Sequence, residues 1–291
     1  MRSDGTGRLV TGPVETVTVL VGDVDAAVRL YDRGVGLQPG PGESPSAALE
    51  RQLPILDRCR SVTLVPPGDD RQGRLRLVEV PGIRPPHTLA TIGWAAAELI
   101  VADADAAAQR ARSAGLQVLA DPAPVGVGGG LRAAQIRGPA GEALYLTQVD
   151  QAPPGFDLPQ PVAAVGRVFI AVLAARDLDA ARARLERTLG ARRVTDHALA
   201  VRALNACMGL PEGTRHRVST VQLAGSAALE IDQYPPTAHG RQGMASPTGG
   251  IVCVTITGRG SPTVQAIPGT DGALLEISGP ATADTGPCRG R

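Results

Sequence analysis

The sequence predicts an α+β protein assembled from repeated modules, and three stretches of similar pattern support this prediction. Each stretch begins with aliphatic and β-branched residues typical of a strand, then passes through an aspartate into an alanine-rich amphipathic helix that ends at a glycine. These stretches are 14–38, 93–118 and 165–194. A pattern that recurs three times in the same order indicates one supersecondary unit used repeatedly.

The aspartates are predicted to cap the helices. A side-chain carboxylate at this position accepts hydrogen bonds from the amide groups of the first helical turn, and a glycine allows the chain to leave the helix. The aspartates are Asp23, Asp103 and Asp177, and the glycines are Gly34, Gly115 and Gly190. We therefore assign these aspartates to structure rather than to catalysis.

Short strand-like runs separated by glycine and proline follow each helix, so each module reads strand, helix and three strands. A fourth module begins near residue 249 but leaves no room for a helix, which predicts a truncated copy. The proline-rich stretch 151–161 is typical of a linker. We expect an N-terminal domain of two modules at 1–150, a C-terminal domain of one full and one truncated module at 162–280, and a tail at 281–291.

Composition excludes several classes of partner. The formal net charge is +1 and only 2% of the residues are aromatic, whereas proteins that bind nucleic acids show a basic excess and stacking aromatics. No apolar run reaches about 18 residues, and the first residues do not resemble a signal peptide. We therefore expect a cytoplasmic protein that binds neither nucleic acid nor membrane, with a homodimer left open.

Two predicted strands place a glutamate between aliphatic residues. Side chains alternate between the two faces of a strand, so Glu230 and Glu276 each point away from their aliphatic neighbours. Asp232 and Tyr234 share the face of Glu230 by the same alternation. The sequence therefore predicts acidic groups on the side of each sheet that faces away from the helices.

The repeated module, with its aspartate-capped helix and closing strand that carries an acid, resembles the vicinal oxygen chelate superfamily. This superfamily includes glyoxalase I, bleomycin-resistance proteins and extradiol dioxygenases. The resemblance extends from about residue 16 to residue 280. It implies that modules pair to form two cup-shaped mixed sheets with helices outside, and that each cup holds a ligand or a metal.

The resemblance also identifies where a metal would bind. Metal-binding members take His or Gln from the first strand of a module, seven residues before the capping aspartate, and Glu from the last strand. The first-strand positions hold Thr16, Ala96, Ile170 (or Phe169) and about Val252, and the last-strand positions hold about Arg76, Tyr145, Glu230 and Glu276. Because the nitrogen donors are missing, we expect no metal and no other cofactor.

We expect Glu230 and Glu276 to line one cavity in the C-terminal domain and to be the catalytic residues. Buried carboxyl groups with raised pKa values can transfer protons, which suggests a metal-independent isomerase, epimerase, cyclase or lyase that acts on a small organic molecule. Expected substrate-binding residues are Asp232, Tyr234, His216 and Phe169.

Several alternatives stay open at this stage. Either glutamate could be solvated, paired with an arginine, or part of a carboxylate-only metal site. The protein could also be a small-molecule binding or resistance protein of the bleomycin-resistance type. An extradiol-type dioxygenase is disfavoured, because two histidines of the iron-binding triad are missing.

Overall fold

A computed structural model describes residues 11–68, 72–125, 130–190, 193–240, 248–258 and 262–279. The expected tail at 281–291 lies outside the described residues. The first two modules each contain one main helix and four strands. Module one contains β1 (Val14–Val21), α1 (Val24–Leu30), β2 (Gln38–Pro39), α2 (Ala47–Gln52), β3 (Ser61–Val65) and β4 (Arg74–Glu79). Module two contains β5 (Gly93–Val101), α3 (Ala104–Ser113), β6 (Val118–Val125), β7 (Leu131–Arg137) and β8 (Ala143–Val149).

The second pair of modules follows the same order, with the fourth shortened as expected. Module three contains β9 (Val165–Ala175), α4 (Leu178–Leu189), β10 (Arg193–Leu199), α5 (Arg202–Cys207), β11 (His216–Leu223) and β12 (Ala227–Gln233). Module four contains β13 (Gly250–Thr257), β14 (Thr263–Ala266) and β15 (Leu274–Ser278). In every module the first strand lies parallel to the last strand.

The aspartate caps are present as predicted. Asp23 accepts from the Ala26 amide at 2.8 Å, and Asp177 accepts from the Ala180 amide at 2.9 Å. Asp103 accepts from two amides at the start of α3. Gly190 ends α4 in the left-handed conformation, with φ of 59°. The predicted end of α1 at Gly34 is wrong. A π-helical turn (Tyr31–Val35) continues the helix to Gly36, where φ is 99°.

The modules form two sheets, but not in the expected pairs. One sheet has the order β14-β15-β13-β1-β4-β3-β2, and the other has the order β10-β11-β12-β9-β5-β8-β7-β6. Module one therefore pairs with module four, through antiparallel β1 and β13. Module two pairs with module three, through antiparallel β5 and β9.

The expected pairing of module one with two, and of three with four, is thus wrong. Consecutive modules often become neighbours in a sheet, and the short linker returns β9 to the free side of β5. Once modules two and three have paired, the first and last modules remain to pair with each other. The domain bounds 1–150 and 162–280 stay a prediction about independent folding units, although both sheets draw strands from each side of the linker.

A shared apolar core lies on the outer faces of both sheets. It contains α1, α3 and α4 together with outward-facing residues of the strands, such as Val17, Leu99, Ala171 and Val254. The Trp94 indole on β5 also donates to the Leu274 carbonyl on β15 at 2.7 Å, which ties the two sheets together. The inner faces carry two separate apolar clusters. The helices therefore lie outside the two curved sheets, as the sequence predicts.

A short helix covers the inner face of each sheet. In the chain, α2 lies between β2 and β3, yet it packs against β14 at the opposite edge of the seven-stranded sheet. The equivalent helix α5 lies between β10 and β11 and packs against β6 at the opposite edge of the eight-stranded sheet. We call the two covered concavities the seven-stranded cup and the eight-stranded cup. Among the described residues, no helix is both long and apolar enough to cross a bilayer.

Candidate functional site

Three carboxyl groups lie on the inner face of the eight-stranded cup. Glu230 and Asp232 come from β12, whose intervening residue Ile231 belongs to the outer core. Glu98 comes from β5, where Leu99 faces the outer core in the same way. Strand alternation therefore places all three acids on the side that α5 covers. We call them the acid cluster.

The acid cluster has few hydrogen-bond partners. The Thr147 hydroxyl donates to Glu98 at 2.6 Å. Asp232 is only 1% exposed, yet neither of its oxygens accepts a hydrogen bond from a described residue when the neighbouring acids are ionised. A proton on Glu230 would supply the missing donor, because these two side chains are adjacent on one face of β12. Buried polar groups are nearly always partnered, so this arrangement favours a shared proton or a ligand.

Burial raises the pKa of every member of the acid cluster. It raises the pKa of Asp232 to about 7, with the charge of Glu98 as a further cause, while a hydrogen bond with Glu230 acts in the opposite direction. It raises the pKa of Glu98 to about 8, with a contribution from the charge of Glu230. The pKa of Glu230 lies well above its usual value, because of burial and because Asp232 is next to it. The cluster therefore holds both protonated and ionised carboxyl groups near neutral pH.

Two buried tyrosines lie beside these acids. Tyr145 on β8 is paired with Glu98 across the parallel strands, and Tyr234 directly follows β12. Neither hydroxyl contacts a hydrogen-bond partner among the described residues. Burial and the nearby carboxylates raise both phenol pKa values well above 10.0, so both hydroxyls remain protonated donors at neutral pH. Protonated phenols are suited to donating to an oxygen of a bound molecule.

The other two expected binding residues lie in the same half of the molecule. His216 is buried at the start of β11, and its Nε2 lies 2.7 Å from the Asn205 side-chain oxygen on α5. Burial lowers the pKa of His216. Phe169 on β9 is buried in the apolar cluster of the inner face, together with Ile170 and Val172. The structure thus places Asp232, Tyr234, His216 and Phe169 around one cup, and their contact with a substrate stays a prediction.

Glu276 does not share this cup, and the expectation of one cavity for both glutamates is wrong. Glu276 lies on β15, in the seven-stranded sheet, whereas Glu230 lies in the other sheet. Glu276 does lie on the inner face of its sheet, as strand alternation predicts. The error follows from the pairing of the modules, because module four joins module one rather than module three.

Glu276 is instead part of a buried ion pair. Its carboxylate lies 3.9 Å from the Arg76 guanidinium, and both side chains are 4% exposed. Thr255 donates to it at 2.7 Å, and Ser46, the N-cap of α2, donates to it as well. Arg76 also donates to Thr18 at 2.8 Å and to the Ser44 carbonyl at 3.2 Å. In the seven-stranded cup, Arg76 and Glu276 therefore neutralise each other and have further hydrogen-bond partners.

The residues at the expected metal positions do not fit a metal site of the family's type. In the seven-stranded cup, the cationic Arg76 lies where a cation would need a ligand. In the eight-stranded cup, the expected positions hold Ala96, Tyr145, Ile170 and Glu230, with no imidazole among them. Within the described ranges, no group of three or more His, Cys, Asp or Glu side chains is arranged to hold a metal ion.

Glu98 was not predicted as a site residue, although its sequence context contains a signal. The stretch 95–101 places this glutamate between Ala97 and Leu99, in the same pattern that identified Glu230. Its importance depends on the pairing of β5 with β9, which brings it close to β12. The signal was therefore local and readable, but its meaning depended on long-range topology.

Comparison with known proteins supports the fold and extends no further. No family model matches the sequence, and no curated protein matches it. Glyoxalase I from Zea mays is 14% identical over 92% of each chain, with a TM-score of 0.59. A candidate dioxygenase from Bacillus subtilis is 12% identical over 94% of this chain and 87% of its own, with a TM-score of 0.62. The chain thus has the fold of the vicinal oxygen chelate proteins, as the resemblance implied.

Proposed function

We propose that the eight-stranded cup is the active site of an enzyme that transfers protons on a small organic molecule. Glu230 and Asp232 are the acid–base pair, and Glu98 is the third carboxyl group that keeps a proton within the cluster. The observation that carries the proposal is the acid cluster itself: no arginine of the described residues forms an ion pair with it, and the buried Asp232 has no donor among them apart from a proton on Glu230. Glu276, with its ion pair to Arg76, has no part in this chemistry.

Different environments suit the two acids of β12 to different roles. A general base works best when its pKa lies near the working pH, and the pKa of about 7 at Asp232 meets this condition. Burial and the adjacent Asp232 raise the pKa of Glu230 well above its usual value, so this group keeps a proton available for return to the substrate. Neighbouring carboxyl groups whose pKa values are pushed apart can divide the acid and base roles in this way.

The reactions that fit are those that begin with removal of a proton from carbon next to a carbonyl group. Isomerisation, epimerisation, cyclisation and elimination can all begin in this way. Removal of that proton places negative charge on the carbonyl oxygen, and a preorganised donor stabilises it. The Tyr145 and Tyr234 hydroxyls are protonated, buried and without a partner among the described residues, so they are the candidate donors. Because the donor set lacks imidazole, we propose that this chemistry needs no metal.

Hydrogen exchange into the carbon framework tests the proposal without knowledge of the physiological product. The protein is incubated in D2O with a panel of small ketones, 2-oxo acids and their esters, and the loss of C–H signals is followed by proton NMR. We expect catalysed exchange on at least one compound, and a loss on the order of 10²-fold or more in Asp232→Asn and in Glu230→Gln. Both substitutions keep the shape of the side chain and remove its basic oxygen.

A matched control is available in Glu142, a buried glutamate outside the acid cluster. Its carboxyl group accepts from Tyr31 and from the Ala140 amide, and burial raises its pKa. Glu142→Gln should leave the exchange rate within about twofold of the wild-type rate. The proposed enzymatic activity would be refuted by full exchange in both Asp232→Asn and Glu230→Gln, or by wild-type protein that binds panel compounds without exchange. The protein would then be a small-molecule binding protein.

A further inference from the structure

A cavity of about 590 Å³ opens at the end of the eight-stranded cup. It lies where β11 begins at His216 and where the chain leaves β12 at Tyr234. The lining residues include Arg176, Leu210, Arg215, His216, Arg217 and Tyr234. Tyr234 connects this cavity to the acid cluster, because it lines the cavity, belongs to the inner-face cluster and follows Asp232 by two residues.

The charge of the cavity wall has one sign. Three arginines line it, and no aspartate or glutamate is among the described lining residues. Two of the arginines are already neutralised, because Arg176 lies 3.3 Å from Asp271 and Arg217 lies 3.0 Å from Asp179. Arg215 differs from both. Its guanidinium donates to the backbone carbonyl of Ala198, and no carboxylate of the described residues lies within ion-pair distance of it.

Two further polar side chains of the wall, His216 and Tyr234, have defined hydrogen-bonding roles, and that of His216 is set by Asn205, a buried residue outside the lining. The Asn205 amide nitrogen donates to the Glu212 and Thr214 carbonyls at 2.7 and 2.9 Å, which fixes the orientation of that amide. The Asn205 oxygen must therefore accept from His216 Nε2, so the neutral imidazole keeps Nδ1 as an acceptor. Tyr234 is 3% exposed, and its hydroxyl is a donor without a partner among the described residues.

We propose that this cavity binds the anionic end of the substrate, and that the substrate is a small 2-oxo or 2-hydroxy carboxylic acid. The guanidinium of Arg215 pairs with the carboxylate, since planar guanidinium donors match carboxylate oxygens. Tyr234 donates to the neighbouring oxygen of the substrate, and His216 accepts from a hydroxyl at that position. This inference rests on the proposed function in one respect, namely that the bound acid is the molecule on which the acid cluster acts.

Binding of matched pairs of ligands tests the inference. Each pair consists of a 2-oxo or 2-hydroxy monocarboxylate and its neutral primary amide, with pyruvate, lactate and mandelate among the acids. Isothermal titration calorimetry on the full chain gives the Kd of each member. We expect at least one acid to bind about tenfold or more tightly than its amide. In Arg215→Gln this preference should fall to within about twofold, while Arg51→Gln on α2, outside the cavity, should keep it.

Three outcomes would overturn the inference: no acid of the set binds, acids and amides bind equally well, or Arg215→Gln retains the preference. The Glu230→Gln variant separates this inference from the proposed function. It should bind the acids as the wild type does, while it loses exchange. Selective binding of acids with no exchange in the wild type would refute the proposed function alone. Exchange on 2-oxo acids that is no faster than on their neutral esters, and that is unaffected by Arg215→Gln, would refute the anion site alone.

Discussion

Replacement of Glu98 by glutamine should make the protein more stable at slightly alkaline pH and leave it unchanged in acid. The pKa of this carboxyl group is about 8 in the folded protein, against an ordinary value of 4.5. Between these two values the folded state holds a proton that the unfolded state releases. Stability therefore falls as the pH rises through this window, and the loss is complete only above the folded pKa. Glu98→Gln removes that proton and keeps an oxygen to accept from Thr147.

The size of the effect follows from proton linkage. One proton changes the unfolding free energy by at most about 1.4 kcal/mol per pH unit, so the ceiling between pH 5 and pH 7.5 is about 3 kcal/mol. Glu98 is only partly buried, and solvent lowers the energetic cost of its charge. We therefore expect Glu98→Gln to gain about 1–2 kcal/mol on the wild type between pH 5 and pH 7.5.

Urea unfolding at pH 5 and pH 7.5 measures this gain. The matched control is Glu186→Gln on α4, which makes the same chemical change outside the acid cluster. The proton-linkage explanation would be refuted if the difference in unfolding free energy between Glu98→Gln and the wild type were the same at both pH values. It would also be refuted if the variant lost stability relative to the wild type as the pH rose.

Two other substitutions test the buried polar groups outside the acid cluster. Arg76→Met should lower the free energy of unfolding, measured in urea, by about 3–5 kcal/mol, because Glu276 would keep a buried charge without its partner. The added change Glu276→Leu should recover most of this stability. An equal loss in the double variant would contradict the ion-pair explanation. Tyr31→Phe should lower the free energy of unfolding by about 1–3 kcal/mol in the same assay, since Glu142 would lose the hydroxyl that donates to it. Unchanged stability would show that water replaces that donor.

The module pattern could be predicted from the sequence because it depends on local signals. Helix caps such as Asp177, and the strand alternation around Glu230, involve residues a few positions apart, and the structure contains both. The short helices α2 and α5 were missed. A helix of six residues is unstable alone and forms through its tertiary contacts, here with β14 and β6, so its sequence carries a weak signal.

The composition of the candidate site could be predicted only in part, because it depends on which modules meet. Alternation identified the inner face for Glu230, Asp232 and Glu276 without any knowledge of pairing. Whether Glu276 joins that site depends on contacts between strands more than 200 residues apart, such as β1 with β13, and no local pattern contains that information. Glu98 was overlooked for the same reason, since its role appears only when β5 lies against β9.

The pairing of the first module with the last sets the order in which the chain can complete its sheets during synthesis. The eight-stranded sheet has all of its strands once residue 233 has been made, but β1 must wait for β13, which ends at Thr257. At about 5–20 residues per second, β1 stays without this partner for tens of seconds after it leaves the ribosome. Throughout this interval the side of β1 that later meets β13 is an open strand edge in a nascent protein, and open edges are where chains associate wrongly. Pairing of β13 with β1 therefore joins the two parts of the seven-stranded sheet and also covers the strand edge at which misassembly could begin.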